Sequence, residues 1–210
     1  MNVGVHVSPE VAAAWPAYQA AVVIATGVLN GPSDEASERL LAAAEQAARD
    51  SGLERAADDP RIAAWRAVFS EFGSKPSRYP SSAESLLARV LKGERLPRIN
   101  ALVDTYNAVS LRYAIPVGGE DLDRLVGDLR LVRADDGEVV WRDDEGVTCR
   151  RWNWRQEPRT QLTEATRNAF FVFDQIPPQQ SLDAAVSELI GHLEAREPSV
   201  QIAVTSAPSE

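Results

Sequence analysis

The sequence predicts one α/β or α+β domain, a mixed sheet with flanking helices and an N-terminal helical lobe. Three observations lead there. Short β-branched runs alternate with amphipathic helical stretches in the first half, a period-two block follows after the midpoint, and no internal repeat or Pro/Ser-rich linker divides the chain. At 210 residues, 44% of them hydrophobic, the chain is long enough to bury a substantial core in one unit. Within that single domain, 1–210, the expected parts are a strand-helix lobe over 1–70, a central region over 71–174, a closing helix and strand over 175–204 and a loose tail over 205–210.

Element by element, Val3, Val5 and Val7 alternate with small or polar residues, and Ala20 to Val28 is a short apolar run, so two strands are expected there, sharing a sheet. Leu40, Leu41, Ala44 and Ala47 have helical spacing behind Ser33 and Asp34, which can cap a helix. Ile62, Trp65, Val68 and Phe69 mark a second helix that stops near Gly73. Pro76 and Pro80 forbid regular helix, and Ser81 with Glu84 forms the capping box of a third helix, 82–91. A fourth, about Asn100 to Tyr113, ends before Pro116 and a turn at Gly118-Gly119. From Asp128 the period becomes two: three strands of an antiparallel meander turn at Asp135–Gly137 and Asp143–Gly146. Arg167 to Ile176 reads as a fully buried strand, Leu182 to Ala195 as an amphipathic helix and SVQIAVT as a last strand.

Composition excludes several classes. No run approaches the roughly 18 apolar residues of a membrane span, and the first residues lack the charged and apolar regions of a signal peptide, so a cytoplasmic protein with no membrane partner is expected. Cys149 is alone, and with only His6 and His192 beside it no metal-ligand spacing can be assembled, so no metal and no cofactor are expected. Such a cysteine is either a small core residue or a nucleophile. The net charge of -9 argues at first against nucleic acid. Its distribution weakens that objection: residues 1–74 carry 5 basic against 10 acidic residues, residues 75–168 carry 16 against 15, and residues 169–210 carry 1 against 6. An Arg-rich middle can present a local basic face, and acidic flanks equally serve solubility alone.

Chemistry-bearing residues gather in two places. In the fourth helix Asn100, Asp104, Asn107 and Ser110 are spaced four, three and three along one face, although Asn and Asp disfavour helix interiors. A buried hydrogen-bond network and a pocket wall both explain them. The adjacent Gly118-Gly119 pair suits either a plain turn or close approach of a ligand, and neither GxGxxG nor GK[ST] is present. The second cluster is CRRWNWRQ, Cys149 to Gln156. On a strand it would set Arg151, Asn153 and Arg155 opposite Trp152 and Trp154, suited to base stacking and phosphate contact or, as readily, to core filling and ion pairing. Thr160, Thr163, Thr166 and Asn168 add uncharged hydrogen-bonding groups beyond it. With no credible Ser-His-Asp or Cys-His set, a hydrolase built from these residues has to position water.

The stretch RINALVDTYNAVSLRYAIPVGGEDLDRLVGDLRLVRADDGE resembles the opening of the editing domain, the B3/B4 domain, of the bacterial phenylalanyl-tRNA synthetase β subunit. There an R-x-x-N-N-x-V-D-x-T-N-Y helix leads to a P-[LM]-H-A-F-D turn, an L-D-K-L-x-G segment and a strand ending in a Gly-Glu turn. With CRRWNWRQ after it, the chain resembles the free-standing B3/B4 proteins, over about 71–174. The resemblance implies the fold, a tRNA-related role, and hydrolysis of mischarged aminoacyl-tRNA in trans, or a non-catalytic module that holds tRNA or an amino acid. It implies the tRNA 3′ end as partner, with Asn100, Asp104 and Asn107, and after them Asp121 and Asp174, around the amino acid. Gly118 and Gly119 would serve the oxyanion, and Thr163, Thr166 and Asn168 the water. Arg151, Trp152 and Arg155 would then meet the RNA. The sequence departs from that family at two positions: Gly118 stands where the turn has histidine and Glu120 where it has phenylalanine, which leaves the amino-acid preference open.

Overall fold

In a computed structural model that describes residues 3–178 and 182–207, the elements follow in the order β1 (Val5–Val7), α1 (Pro9–Ala14), β2 (Gln19–Thr26), α2 (Glu35–Arg49), α3 (Pro60–Glu71), α4 (Ser82–Leu91), α5 (Ala101–Tyr113), β3 (Val117–Asp121), β4 (Leu129–Arg133), β5 (Val139–Arg142), β6 (Val147–Arg150), β7 (Arg155–Gln156), β8 (Asn168–Gln175), α6 (Leu182–Arg196) and β9 (Gln201–Ser206). Among the described residues they form a five-stranded mixed sheet, β1-β4-β5-β6-β7, and a four-stranded antiparallel sheet, β3-β8-β2-β9. The fold is α+β.

Side-chain alternation explains the layering. In β2 and β8, Val22, Phe170 and Val172 point to the first sheet and pack with Leu129, Leu131 and Trp141, while Val23, Phe171 and Phe173 point the other way, onto α5 and α6. Strand β8 is therefore apolar on both faces, and each fully buried Phe contributes about 1.5–3 kcal/mol. A third core joins α2, α4 and the outer side of α5 through Leu41, Leu87, Val90 and Leu111. The helix starts are set by side-chain caps: Asp34 and Ser37 form a reciprocal capping box on α2, and Asn100 Oδ1 accepts the Val103 N–H at 3.0 Å on α5. At α4 only half of the expected box forms. Ser81 Oγ accepts the Glu84 N–H, but the Glu84 carboxylate is drawn to Arg66 at 2.5 Å.

Five expectations are corrected. β1 and β2 do not share a sheet: β1 runs parallel to β4, and α1 separates it from β2 in the other layer. Gly118-Gly119 is no turn but the middle of β3, paired with Val172 and Phe171 of β8, and neither glycine has positive φ. Gly119 is there for proximity. A Cβ on Gly119 would lie 2.8 Å from Leu162 Cδ1 and 2.9 Å from Tyr106 Cε1. Residues 151–154 are a turn rather than strand, with φ of 46° at Arg151 and 64° at Trp152, so the arginines and tryptophans do not alternate across a sheet. α1, β3 and β7 were not expected. The last strand runs one residue past SVQIAVT: Ser206, placed in the tail, pairs with Ala21 of β2 in β9, and the tail residues 208–210 lie outside the described residues.

The glycine contacts make a paired prediction. Gly119→Ala should lose about 1–3 kcal/mol in urea denaturation through overpacking, whereas Gly118→Ala, whose nearest neighbour would be Val172 at 3.4 Å, should stay within about 0.5 kcal/mol of the parent.

Candidate functional site

The two sheets do not close fully against each other beyond Val172. Because Gly118 and Glu120 share one face of β3, and Val172 and Asp174 the same face of β8, a side-chain gap and two carboxyl groups open into the same space. The result is a cavity of about 180 Å³, walled by Trp141, Trp152, Trp154, Tyr106 and Val117 and carrying Asn107, Asn153, Gln156, Glu120 and Asp174. Cys149 and Arg155 complete its lining toward β6 and β7. Apolar walls with a few convergent polar groups are the usual make-up of a small-molecule site.

The two acids differ in surroundings. Asp174 is 1% exposed. Its Oδ1 accepts the Tyr18 hydroxyl at 2.5 Å and its Oδ2 accepts Asn153 Nδ2 at 3.3 Å, while the indole N–H groups of Trp141 and Trp152 face it without reaching hydrogen-bond geometry. Burial pushes its pKa up to about 6, the nearby donors pulling the other way. Glu120 lies near Gln156, Thr148 and Thr160, with Gln156 Nε2 2.5 Å from Oε2, and burial raises its pKa to about 8. It is mainly protonated at neutral pH. Cys149 is pushed well above the thiol range by burial and then by the charges of Glu120 and Asp174, which removes it as a ready nucleophile.

The mouth of the cavity merges with a cationic, aromatic rim. Tyr79 and Trp154 meet edge to face at 4.9 Å, the Arg151 guanidinium lies 3.8 Å over Tyr79, Arg78 sits 5.1 Å over the same ring and Arg155 6.0 Å over Trp154. Arg151 is held by Glu138 and Arg150 by Glu157. Lys75, Arg78 and Arg155 form no ion pair among the described residues. Two shallow grooves beside the rim contain these cations.

The residues expected at the site fall into three groups. Asn107, Gly118, Asp174 and Arg155 come together around the cavity, with Trp152 as one of its walls. Trp152 is fully buried, edge to face with Trp15, Tyr18 and Trp65, so it serves the core and the cavity wall rather than an open surface. Arg151 stands on the rim. The others join a network behind β3: Asn100 Nδ2 donates to the Leu162 carbonyl, Asn30 Nδ2 to Asn100 Oδ1 and to the Thr163 carbonyl, and Thr166 Oγ1 donates to Asp121 Oδ2 at 2.6 Å while accepting the Thr163 N–H. Asp104 is fully buried and accepts the Ile99 N–H, Gly119 turns its open side to Tyr106, and Asn168 donates to Asp123. Glu120, Asn153, Gln156 and Tyr18 complete the site. For Glu120 the signal was present, an acid two residues from Gly118, where the family pattern has phenylalanine, and hence on the face of Gly118 once β3 is a strand. For Tyr18 there was none.

Among the described residues no group of three or more His, Cys, Asp or Glu side chains could hold a metal ion, and no helix is long and apolar enough to cross a membrane. No curated protein matches the chain. Among solved structures, an N-terminal fragment of the phenylalanyl-tRNA synthetase beta-subunit from Pyrococcus horikoshii is similar at 12% identity and a TM-score of 0.47, covering 100% of this chain and 52% of that one. The chain thus spans about half the length of that fragment. The family model of the B3/4 domain matches residues 64–189, a span that contains every residue lining the cavity. On that match the chain belongs to the B3/4 domain family.

Proposed function

We propose that this domain takes the aminoacyl end of a mischarged tRNA into the cavity and hydrolyses the ester in trans, in the cytoplasm. The observation that carries this reading is an aromatic cavity with a protonated buried acid, opening beside unpaired cations stacked on rings. An enclosed pocket suits the amino acid, and the rim suits the phosphates and bases of a single-stranded 3′ end. Ester hydrolysis needs a placed water and a donor to the developing oxyanion, not a resident nucleophile. Glu120, carrying its proton, is that donor. Gln156, bonded to both Glu120 and the Gly119 carbonyl, holds the water side of the cavity. The threonine segment is engaged behind β3, so water placement passes from Thr163, Thr166 and Asn168 to Gln156 and Glu120.

A second reading is favoured by Gly118, which stands where the synthetase domain has histidine: the cavity holds the aminoacyl group without cleaving it. A panel of mischarged tRNAs separates the two. Deacylation above a no-protein control for at least one pair is expected, and binding with none leaves the second reading.

Two further outcomes follow from the charges. Glu120 keeps its donor proton below about pH 8 and loses it above, so deacylation corrected for spontaneous hydrolysis should fall as pH rises through about 8. In Glu120→Gln, which donates at every pH, that alkaline limb should vanish while activity at pH 7 persists. The linkage to stability has a definite sign. Folding keeps Glu120 neutral over a range where the unfolded chain has ionised, so its cost grows from the usual glutamate range up to about pH 8, and calorimetry should show Glu120→Gln melting several degrees higher at pH 8.5 and unchanged near pH 4. For the rim, combining Lys75→Ala, Arg78→Ala and Arg155→Ala should weaken tRNA binding at least tenfold and lower the slope of log affinity against log salt by about 2, read by filter binding at several salt concentrations.

A further inference from the structure

Asp174 is a buried carboxylate without a counter-charge. No Lys, Arg or His forms an ion pair with it among the described residues. Arg61 borders a small separate cavity on another side of Asp174, but its guanidinium is bound to Asp59 at 2.5 Å and to the Tyr113 carbonyl at 2.9 Å. Its partners in the cavity are neutral donors, Tyr18 and Asn153. Burying a carboxylate on those terms is costly, and a cation is what removes the cost.

A second, independent observation sits beside it. Asn153 is 7% exposed and lines the cavity. Its Nδ2 is spent on Asp174, and its Oδ1 has no partner. A free buried acceptor next to a buried carboxylate that has hydrogen-bond donors but no counter-charge calls for a ligand with several N–H donors and positive charge. The aromatic rings of Trp141, Trp152, Trp154 and Tyr106 wall the same cavity and exclude water around that group.

We propose that the Asp174 end of the cavity binds the side-chain ammonium of a lysine-like aminoacyl group, with one N–H to Asp174 and one to Asn153 Oδ1. This rests on the reading above only in that the cavity receives an aminoacyl group. A hydroxyl or phenol would use Asn153 Oδ1 but leave the carboxylate uncompensated, and an apolar side chain would leave both. The same acidity separates ester from product. An ester or amide brings only ammonium groups, whereas the released amino acid brings a carboxylate that the Asp174 charge repels.

The test uses the intact chain and small amides, without tRNA. In isothermal titration at pH 7.5, lysinamide should bind at least tenfold more tightly than leucinamide, tyrosinamide or Nε-acetyl-lysinamide. All four carry the α-ammonium, so the preference isolates the side-chain charge. Asp174→Asn should abolish that preference. Because this variant changes a buried group, Asn153→Ala is the companion: it should cut the preference severalfold while the melting temperature is followed in the same samples. Equal binding of the four amides, tighter binding of tyrosinamide, or binding of none overturns the assignment. Hydrolysis of other aminoacyl-tRNAs without a lysinamide preference would overturn it too, while leaving the hydrolase reading intact.

Discussion

Strand β8 has to be buried on both of its faces, and the remaining architecture follows from satisfying that demand. Asn168–Gln175 carries three phenylalanines and two small or β-branched residues in eight positions, and every residue after Asn168 is buried. One face is covered by the five-stranded sheet and the other by α5 and α6. Its two backbone edges are closed by β2 and β3. A strand so enclosed has no exposed side on which to carry a polar residue. Asp174 therefore enters the interior with the strand, on the face that looks at the first sheet, and the gap left by Gly118 on neighbouring β3 gives it a cavity instead of a clash.

The periodic parts of the chain were legible because local and tertiary preferences agree there. α2 and α4 begin at the expected capping residues, Asp34 and Ser81, and the meander turns where Asp and Gly cluster. What failed was sheet assignment. β1 is three residues long, and its parallel partner β4 lies more than a hundred positions away, which no local pattern encodes. The glycine pair failed differently. Adjacent glycines read as a turn when φ is the issue, but here the constraint is the nearness of Tyr106 and Leu162, a contact between distant segments. CRRWNWRQ, in turn, looks like alternating strand because its composition alternates; positive φ at Arg151 and Trp152 instead folds the indole into the core and leaves Arg151 outside.

The site was half visible for the same reason. The polar stripe Asn100, Asp104, Asn107 is real as a helix face, but only its Asn107 end reaches the cavity, while Asn100 caps the helix and anchors the loop before β8. Asp121 and Thr166 pair with each other across that loop. Side chains that looked functional because they are polar and oddly placed are largely the means by which an irregular segment is held without a ladder of its own. Conversely, Tyr18 attracts no notice in the sequence and matters because of what faces it.

This division between the network behind β3 and the cavity in front of it bears on how the domain can change. Asn30, Asn100, Asp121 and Thr166 support the backbone yet line none of the cavity, whereas Gly118, Asn107, Asn153 and Gln156 line it and cap no helix. Drift in ligand preference is thus open to this scaffold at little risk to folding, because the residues that would mutate are not the ones that keep the chain native. Closely related copies could diverge in what they accept while remaining superimposable in their backbones. The glycine and glutamate that set this chain apart from the synthetase domain sit on the mutable side of that line.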